Sequence, residues 1–522
     1  MTTPIDHILP PERPDARTAG QQRPAGAREW IGLGLLALPT ILLGLDLTLL
    51  HLALPALAVD LRASSVQSLW IVDIYGLVIA GLLVTMGALG DRIGRRRLLI
   101  IGAAGFGAAS LMAAYAPTPA TLIAARALLG IAGATLMPST LALISNMFVR
   151  REQRALAIGV WATMFALGMA AGPLVGGLLL ERYWWGAAFL VALPVVALLL
   201  LAAPSLIPEY RPARASQLDF HSAVLSLLAL LPVIYGFKQM ARYGAGAGAL
   251  LAILSGIFFA CLFVRRQRRL PEPLIDLSLF ASRAFRMALL VLLGGLVGVG
   301  GTMLLVTQYL QLVVGLSPSA AGAWMAPPAL AMLVAGIVAP LLARTVPPGR
   351  VMAGGLAVSV VGYAMLALLA RGALDVVQVS VAFSLVYLGL GTIASLGTDL
   401  VVGAAPPEKA GAASAMSETV QELGIAIGIA ILGSVTTAVY RREIGAGLPQ
   451  GLADEVRHAL GDSLAGANSV AHALPDGLLA QAQDAFIAGL NAAAGASVAG
   501  IALLAALAAW KLRDIGAPGG HD

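Results

Sequence analysis

The chain is 522 residues long, 59% hydrophobic and 11% charged, with a mean hydropathy of +0.88, whereas soluble domains carry about 25% charged residues. This excludes a large soluble domain and describes an integral membrane protein assembled from apolar runs of about 20 residues. The formal net charge of +6 is read as a topology signal, and no nucleic-acid partner is drawn from it.

In chain order, residues 1–29 are polar, rich in proline and arginine, and lack the apolar core of a signal peptide. They are expected to form a disordered cytoplasmic tail. Fourteen candidate spans follow, at about 30–59, 69–90, 98–116, 121–147, 156–180, 184–203, 219–239, 247–264, 285–314, 319–343, 351–371, 376–402, 410–440 and 486–511. With the N-terminus inside, the outer loops hold Arg62, Arg182, Lys238, Arg242, Arg371, Arg441, Arg442 and Arg457. Arg126 falls within a span, and all the other basic residues fall on the cytoplasmic side. That bias places both termini in the cytoplasm. Only three of the 33 basic residues are lysine, a bias expected of a bacterial chain with GC-rich coding. The single cysteine, Cys261, lies in an apolar run, so one chain has neither a disulfide framework nor a thiolate metal site.

The loops "GALGDRIGRRRLL" (87–99) and "ARTVPPGRVMAGG" (343–355) place Gly and Arg at the same kind of tight turn before a Gly-rich helix. The expected organisation is therefore a duplication: a six-helix bundle over 30–203, two inserted helices over 219–264 followed by "RRQRR", and a second six-helix bundle over 285–511. A cytoplasmic tail, 512–522, ends the chain. Two bundles around a midplane cavity is a transporter plan. An outer segment at 441–485 contains "LADEVRHALGDSLAGA", with helical spacing and an apolar face. It reads either as a variable surface loop or as a gate over the outer mouth.

The spans carry acids that a bilayer tolerates only beside water, a partner or a proton. Asp46 and Asp73 lie in the first and second spans, Glu418 and Glu422 in the thirteenth, and Asp399 near the cytoplasmic end of the twelfth. Arg126 is the one clear base among them, so the expected cavity is acidic and suited to cations. Glu418 and Glu422 are four apart, on one helical face, at depths of about 12 and 18 Å. Two carboxylates so close in a poorly solvated cavity do not both ionise easily, and the pair can hold a proton that an arriving cation displaces. Structural alternatives stand beside these roles. Asp46 can simply bond neighbouring helices, Asp73 can sit at the outer interface beside Trp70, and Asp399 can be solvated at a helix end. In the fifth span Gly168, Gly172, Gly176 and Gly177 put small residues on one face, while Pro173 removes a donor and permits bending.

These segments together resemble the major facilitator superfamily and, within it, fourteen-helix drug:proton antiporters of the QacA and SmvA type. "GALGDRIGRRR" is similar to the loop motif G-x-L-x-D-R-x-G-R-R/K-x. "LDLTLLHLALP" resembles the first-helix motif L-D-x-T-x-x-N-x-A-L-P, with His51 in place of asparagine, and "WIVDIYGL" resembles the second-helix sequence of drug exporters. "GMAAGPLVGG" fits G-x-x-x-G-P-x-x-G-G, and "RALLGIAGA" fits the fourth-helix pattern in part, with Leu129 where glutamine is usual.

The resemblance implies an all-α membrane protein with the major facilitator fold: two six-helix bundles plus two inserted helices. It implies a proton-coupled exporter of lipophilic organic cations such as quaternary ammonium compounds and dyes, working by alternating access in a bacterial cytoplasmic membrane. Asp46, Asp73, Glu418 and Glu422 would serve substrate and proton coupling; Asp91, Arg92 and Arg126 a conformational latch; Gly168, Gly172, Pro173, Gly176 and Gly177 an antiporter hinge. Positive-inside anchoring and close helix packing are the plainer readings of the last two groups, and His51 reads as a packing or hydrogen-bonding replacement. No cofactor or metal is expected beyond the proton gradient, and the functional unit is expected to be a monomer. Export of an endogenous metabolite, lipid or antibiotic is the alternative. An enzyme is not expected, because no Walker sequence, metal-ligand cluster or nucleophile–base signature occurs.

Overall fold

The computed structural model describes residues 25–211, 219–244, 246–270, 273–370, 375–405, 410–445 and 452–512. The two expected tails therefore fall largely outside the described residues. Among the described residues the secondary structure is helical, without a strand, and fourteen helical segments are long and apolar enough to cross a membrane. The solvent dictates this, because a backbone amide in hydrocarbon must find its partner within its own segment.

The first half comprises α1 (Ala27–Asp60), α2 (Ser65–Ile93), α3 (Arg95–Ala114), α4 (Pro119–Met147), α5 (Arg151–Arg182), and α6 (Ala187–Leu190) with α7 (Ala192–Leu206) as one span. The inserted pair is α8 (Phe220–Tyr243) and α9 (Ala247–Gln267). The second half comprises α10 (Arg283–Gln308), continued by a π turn at Tyr309–Val313, then α11 (Pro318–Trp324) with α12 (Ala326–Leu342), α13 (Pro348–Ala367), α14 (Asp375–Gly403), α15 (Ala410–Gly445) and α18 (Leu478–Lys511). Between the last two lie α16 (Asp454–Asp462) and α17 (Leu464–Ser469). The described part of the expected outer segment is thus largely helical, and α18 begins eight residues earlier than the expected 486.

Local chemistry sets several boundaries. Ser64 accepts a hydrogen bond from the Gln67 amide while Gln67 Oε1 accepts one from the Ser64 amide, a reciprocal cap on α2. Gly94, at φ +111°, makes the single-residue turn between α2 and α3.

The halves repeat one packing scheme. In the first, α1 packs on α5, α2 on α4, and α3 on α4 and α7; in the second, α10 packs on α15, α12 on α14, and α13 on α14 and α18. Gly168 faces the Ile41 carbonyl and Gly172 the Thr48 hydroxyl, so backbones meet where any Cβ would intrude. Thr48 Oγ1 also donates to the Met169 carbonyl at 3.1 Å. The second half does the same with residues the sequence reading did not single out: Gly424 and Gly428 of α15 rest on the Leu293 and Val297 carbonyls of α10.

The inserted pair is more than a joint. Through Leu231 and Ile234, α8 packs with Leu77 of α2 and with Leu423, Ala426 and Ala430 of α15, touching both halves. Helix α9 packs chiefly on α8 and leaves Leu250, Leu251, Leu254, Ile257 and Phe258 exposed, a face suited to lipid.

Contacts between the halves gather at the end that carries α16 and α17, here the hairpin end. A Cβ on Gly177 of α5 would lie 2.6 Å from the Pro318 carbonyl oxygen of α11, and Gly322 of α11 abuts the Pro173 carbonyl. Gln311 donates to the Leu52 carbonyl at 3.1 Å. Asp462 at the end of α16 accepts from the Ser65 amide at 2.5 Å and from its hydroxyl at 3.2 Å, so the second half holds the N-terminus of α2.

Candidate functional site

A cavity between the halves is lined by Leu47 and His51 of α1, Val72, Asp73 and Gly76 of α2, Arg126 of α4, and Glu422, Ile425, Ala426 and Ile429 of α15. The helix periods explain the assembly. Asp73 and Gly76 are three apart and Glu422, Ala426 and Ile429 follow at four and three, so each helix turns one stripe inward.

The charges around this cavity are mostly paired. Arg126 Nη1 donates to Asp46 Oδ2 at 2.6 Å, and its Nε donates to the Ile71 carbonyl at 3.2 Å. The guanidinium lies 4.4 Å from the centre of the Tyr75 ring, a cation–π contact that helps keep a buried cation in place. Lys238 Nζ of α8 lies 2.6 Å from Asp73 Oδ2, with both side chains fully buried, and 4.0 Å from the centre of the Trp70 ring. Glu422 differs. It is buried, its Oε2 has no hydrogen-bond partner among the described residues, and that oxygen faces Gly76, where a Cβ would stand 3.5 Å away. Glu418, one turn along α15, is half-buried. A buried carboxylate without a countercharge must hold a proton or attract a cation, since an isolated charge there costs several kcal/mol.

The four acids assigned to substrate and proton coupling therefore share one region but not one state: Asp46 and Asp73 are neutralised by bases, and Glu422 is not. One expectation needs correction. Arg126 is not the one intramembrane base, because Lys238, counted with the outer-loop residues although the expected seventh span ran to 239, is buried in that span. Its position five residues before the end of α8 looked interfacial in sequence, and only the packing of α8 against α2 draws the ammonium inward. Arg126, expected to act in the latch with Asp91 and Arg92, lines the cavity.

At the opposite end of the bundle, Asp91 pairs with Arg95 at 2.6 Å while Arg92 is exposed. Arg95 also donates to the Pro138 carbonyl at 3.3 Å. The acid that receives backbone donors at the start of α3 is Glu209, which accepts from the amides of Arg96 at 2.9 Å and Arg97 at 3.3 Å. Sequence reasoning missed Glu209, although an acid poised at a helix N-terminus is favourable wherever the fold delivers one. Asp399 is exposed, which agrees with its plainer reading. His51 is buried and lines the cavity, and its Nδ1 has no hydrogen-bond partner among the described residues.

Two helical bundles of matching internal packing, closed around charged groups at their common face, define a polytopic membrane transporter rather than an enzyme. The chain belongs to the Major Facilitator Superfamily, whose profile matches residues 36–429. It is 44% identical over 485 residues to the multidrug efflux pump LfrA of Mycolicibacterium smegmatis, covering 92% of this chain and 95% of that protein. It is 36% identical over 491 residues to the methyl viologen resistance protein SmvA of Salmonella typhimurium, covering 92% and 98%. Among solved structures it is similar to a bacterial homologue of the human lysosomal transporter Spinster in an inward-facing, occupied conformation. That match has a TM-score of 0.61 at 18% identity over 94% of this chain and 97% of the other, and it speaks to the fold alone.

Proposed function

We propose that this protein exports lipophilic organic cations from a bacterial cytoplasm in exchange for protons, by alternating access of its two halves. The observation that carries the reading is Glu422: a buried carboxylate with an unpartnered oxygen, facing a cavity whose other charges are already paired. Such a group is neutral when protonated and is a cation site when not, so proton and substrate compete for it. The names of the relatives point the same way, one being a multidrug efflux pump and another a methyl viologen resistance protein.

The arginine-rich turn around Gly94 is taken as cytoplasmic, following the distribution of basic residues. The halves meet at the hairpin end, so this conformation is the arm of the cycle closed to the outside. Export then requires parting the α5–α11 and Asp462–Ser65 contacts while the cytoplasmic ends approach. Asp91 and Arg92 act in that second state, as a latch between access conformations. Gly168, Gly172, Pro173, Gly176 and Gly177 are the close-packed strip about which α5 moves.

The test is proton release. Purified protein in weakly buffered detergent is expected to release protons when tetraphenylphosphonium is added, Glu422→Gln to lose most of that signal, and Glu418→Gln to lose part of it. Undiminished release by Glu422→Gln would move the coupling elsewhere. Binding confined to neutral or anionic compounds would favour export of an endogenous metabolite, lipid or antibiotic.

A further inference from the structure

The Asp73–Lys238 pair has the composition of a ligand site rather than of a structural bridge. Lys238 Nζ stands 2.6 Å from Asp73 Oδ2 and 4.0 Å from the centre of the Trp70 ring. A carboxylate on one side and an aromatic face on the other is how a protein recognises an organic ammonium. The lysine is delivered to this position by the inserted helix α8, not by either bundle. Among the described residues neither the Asp73 oxygens nor Lys238 Nζ make a well-directed hydrogen bond, so the contact is a bare ion pair and the carboxylate is not saturated by its neighbours. Asp73 also lines the central cavity, and Glu422 meets α2 one turn further on, at Gly76.

We propose that Asp73 and Trp70 form a second cation subsite, that the Lys238 ammonium is its tethered occupant, and that Lys238 thereby sets how many positive charges a substrate carries into the cavity. With the lysine docked, Asp73 is neutralised, and the acidic pole offered to substrate is Glu422 with Glu418 one turn away. With the lysine removed or displaced, Asp73 and Glu422 present two anionic poles a helical turn apart along α2, a pattern that favours a dication over a monocation. A structural role alone would lead nature to satisfy both Asp73 oxygens, and a buried pair gives little net stability over apolar packing. The charge-setting role explains why a costly ammonium is carried on α8 into contact with the cavity.

This inference rests on the cation-export reading, and the experiment separates the two. Binding of tetraphenylphosphonium, a monocation, and methyl viologen, a dication, is measured by calorimetry on the full-length protein. Lys238→Met keeps length and apolar bulk and removes the charge. It is expected to tighten methyl viologen by about tenfold or more while changing tetraphenylphosphonium by less than about threefold. Asp73→Asn leaves an uncompensated ammonium and is expected to weaken both cations. The double variant Asp73→Asn, Lys238→Met removes both charges and is expected to restore the wild-type ratio of the two affinities. Lys238→Gln supplies donors to Asp73 without charge, and serves if the methionine variant does not fold. An unchanged or smaller dication preference in folded Lys238→Met or Lys238→Gln overturns the inference. Binding of neither cation by the wild type overturns the cation-export reading instead.

Discussion

Asp46 illustrates how a single charge changes meaning once its partner is known. Sequence makes it an isolated carboxylate in mid-membrane; the structure sets Arg126 against it at 2.6 Å with the arginine side chain 2% exposed and the aspartate 12%. Removing one member of such a pair leaves the other buried and uncompensated, which costs about 3–5 kcal/mol, whereas replacing both by apolar groups is often near neutral. Asp46→Asn is therefore expected to destabilise the protein by roughly that amount, and Asp46→Leu combined with Arg126→Leu to recover most of it. Thermal unfolding in detergent provides the check, and equal loss in the single and double variants would show that the pair is not the coupled unit. Transport by the double variant is expected to be lost even where stability returns, because the charge is gone from the cavity.

At the scale of elements, two helix contacts make opposite demands. Helix α5 meets α1 through Gly168 and Gly172, where an added Cβ would collide with the Ile41 carbonyl and the Thr48 hydroxyl. Gly172→Val is expected to cost at least about 2 kcal/mol through overpacking. Gly495→Ala on α18, with open space around the site, is expected to be neutral or to gain up to about 1 kcal/mol. Yields of folded protein and melting temperatures test the contrast, and similar behaviour of the two variants would contradict this packing. The junction of α8 and α9 depends on charge instead. Asp219 caps α8 by accepting from the Ser222 amide at 3.1 Å, and Arg266 in the last turn of α9 donates to it at 2.8 Å. Partial burial pushes the Asp219 carboxyl upward, but the hydrogen bonds from Arg266 and Ser222 outweigh it and hold the group at about 2. An unfolded aspartate titrates near 3.9, about two units higher, so the unfolded chain binds the extra proton. The stabilisation is complete above the unfolded value and is lost as pH falls through about 2. Asp219→Asn is expected to lower stability by about 1–2 kcal/mol at neutral pH. The gap between variant and wild type is expected to close as pH is taken from 5 to 2, and a gap constant across that window would refute the assignment.

For the whole molecule the question is what holds the halves together at the hairpin end. Asp462 accepts from the Ser65 amide and hydroxyl across the interface, while Arg62 and Glu455 stand 3.9 Å apart with both side chains more than 80% exposed. The exposed pair contributes little; the carboxylate on a helix N-terminus contributes more. Spin labels at Arg62→Cys and Glu455→Cys in a Cys261→Ser background read the separation directly. Asp462→Ala is expected to add a longer-distance population, and Arg344→Ala, remote at the other end, is not. A single unchanged distance in Asp462→Ala would place the restraint in the α5–α11 contact alone.

The sequence by itself determined the membrane class and the fourteen spans, and it raised the duplication and the four acids as expectations. Each of these is a one-dimensional quantity, a run length, a repeat, or a charge where hydrocarbon does not tolerate one. It also located the glycines of α5, because spacing four apart is visible along a chain. Only the tertiary structure decided which acids are neutralised. Arg126 is 80 residues from Asp46, Lys238 reaches Asp73 from a helix outside both bundles, and Glu209 arrives at α3 from beyond α7. Pairing of buried charges is set by which helix faces meet, and hydropathy carries no information about that; hence a lysine near the end of a span looked like a loop residue and proved to be buried beside the cavity.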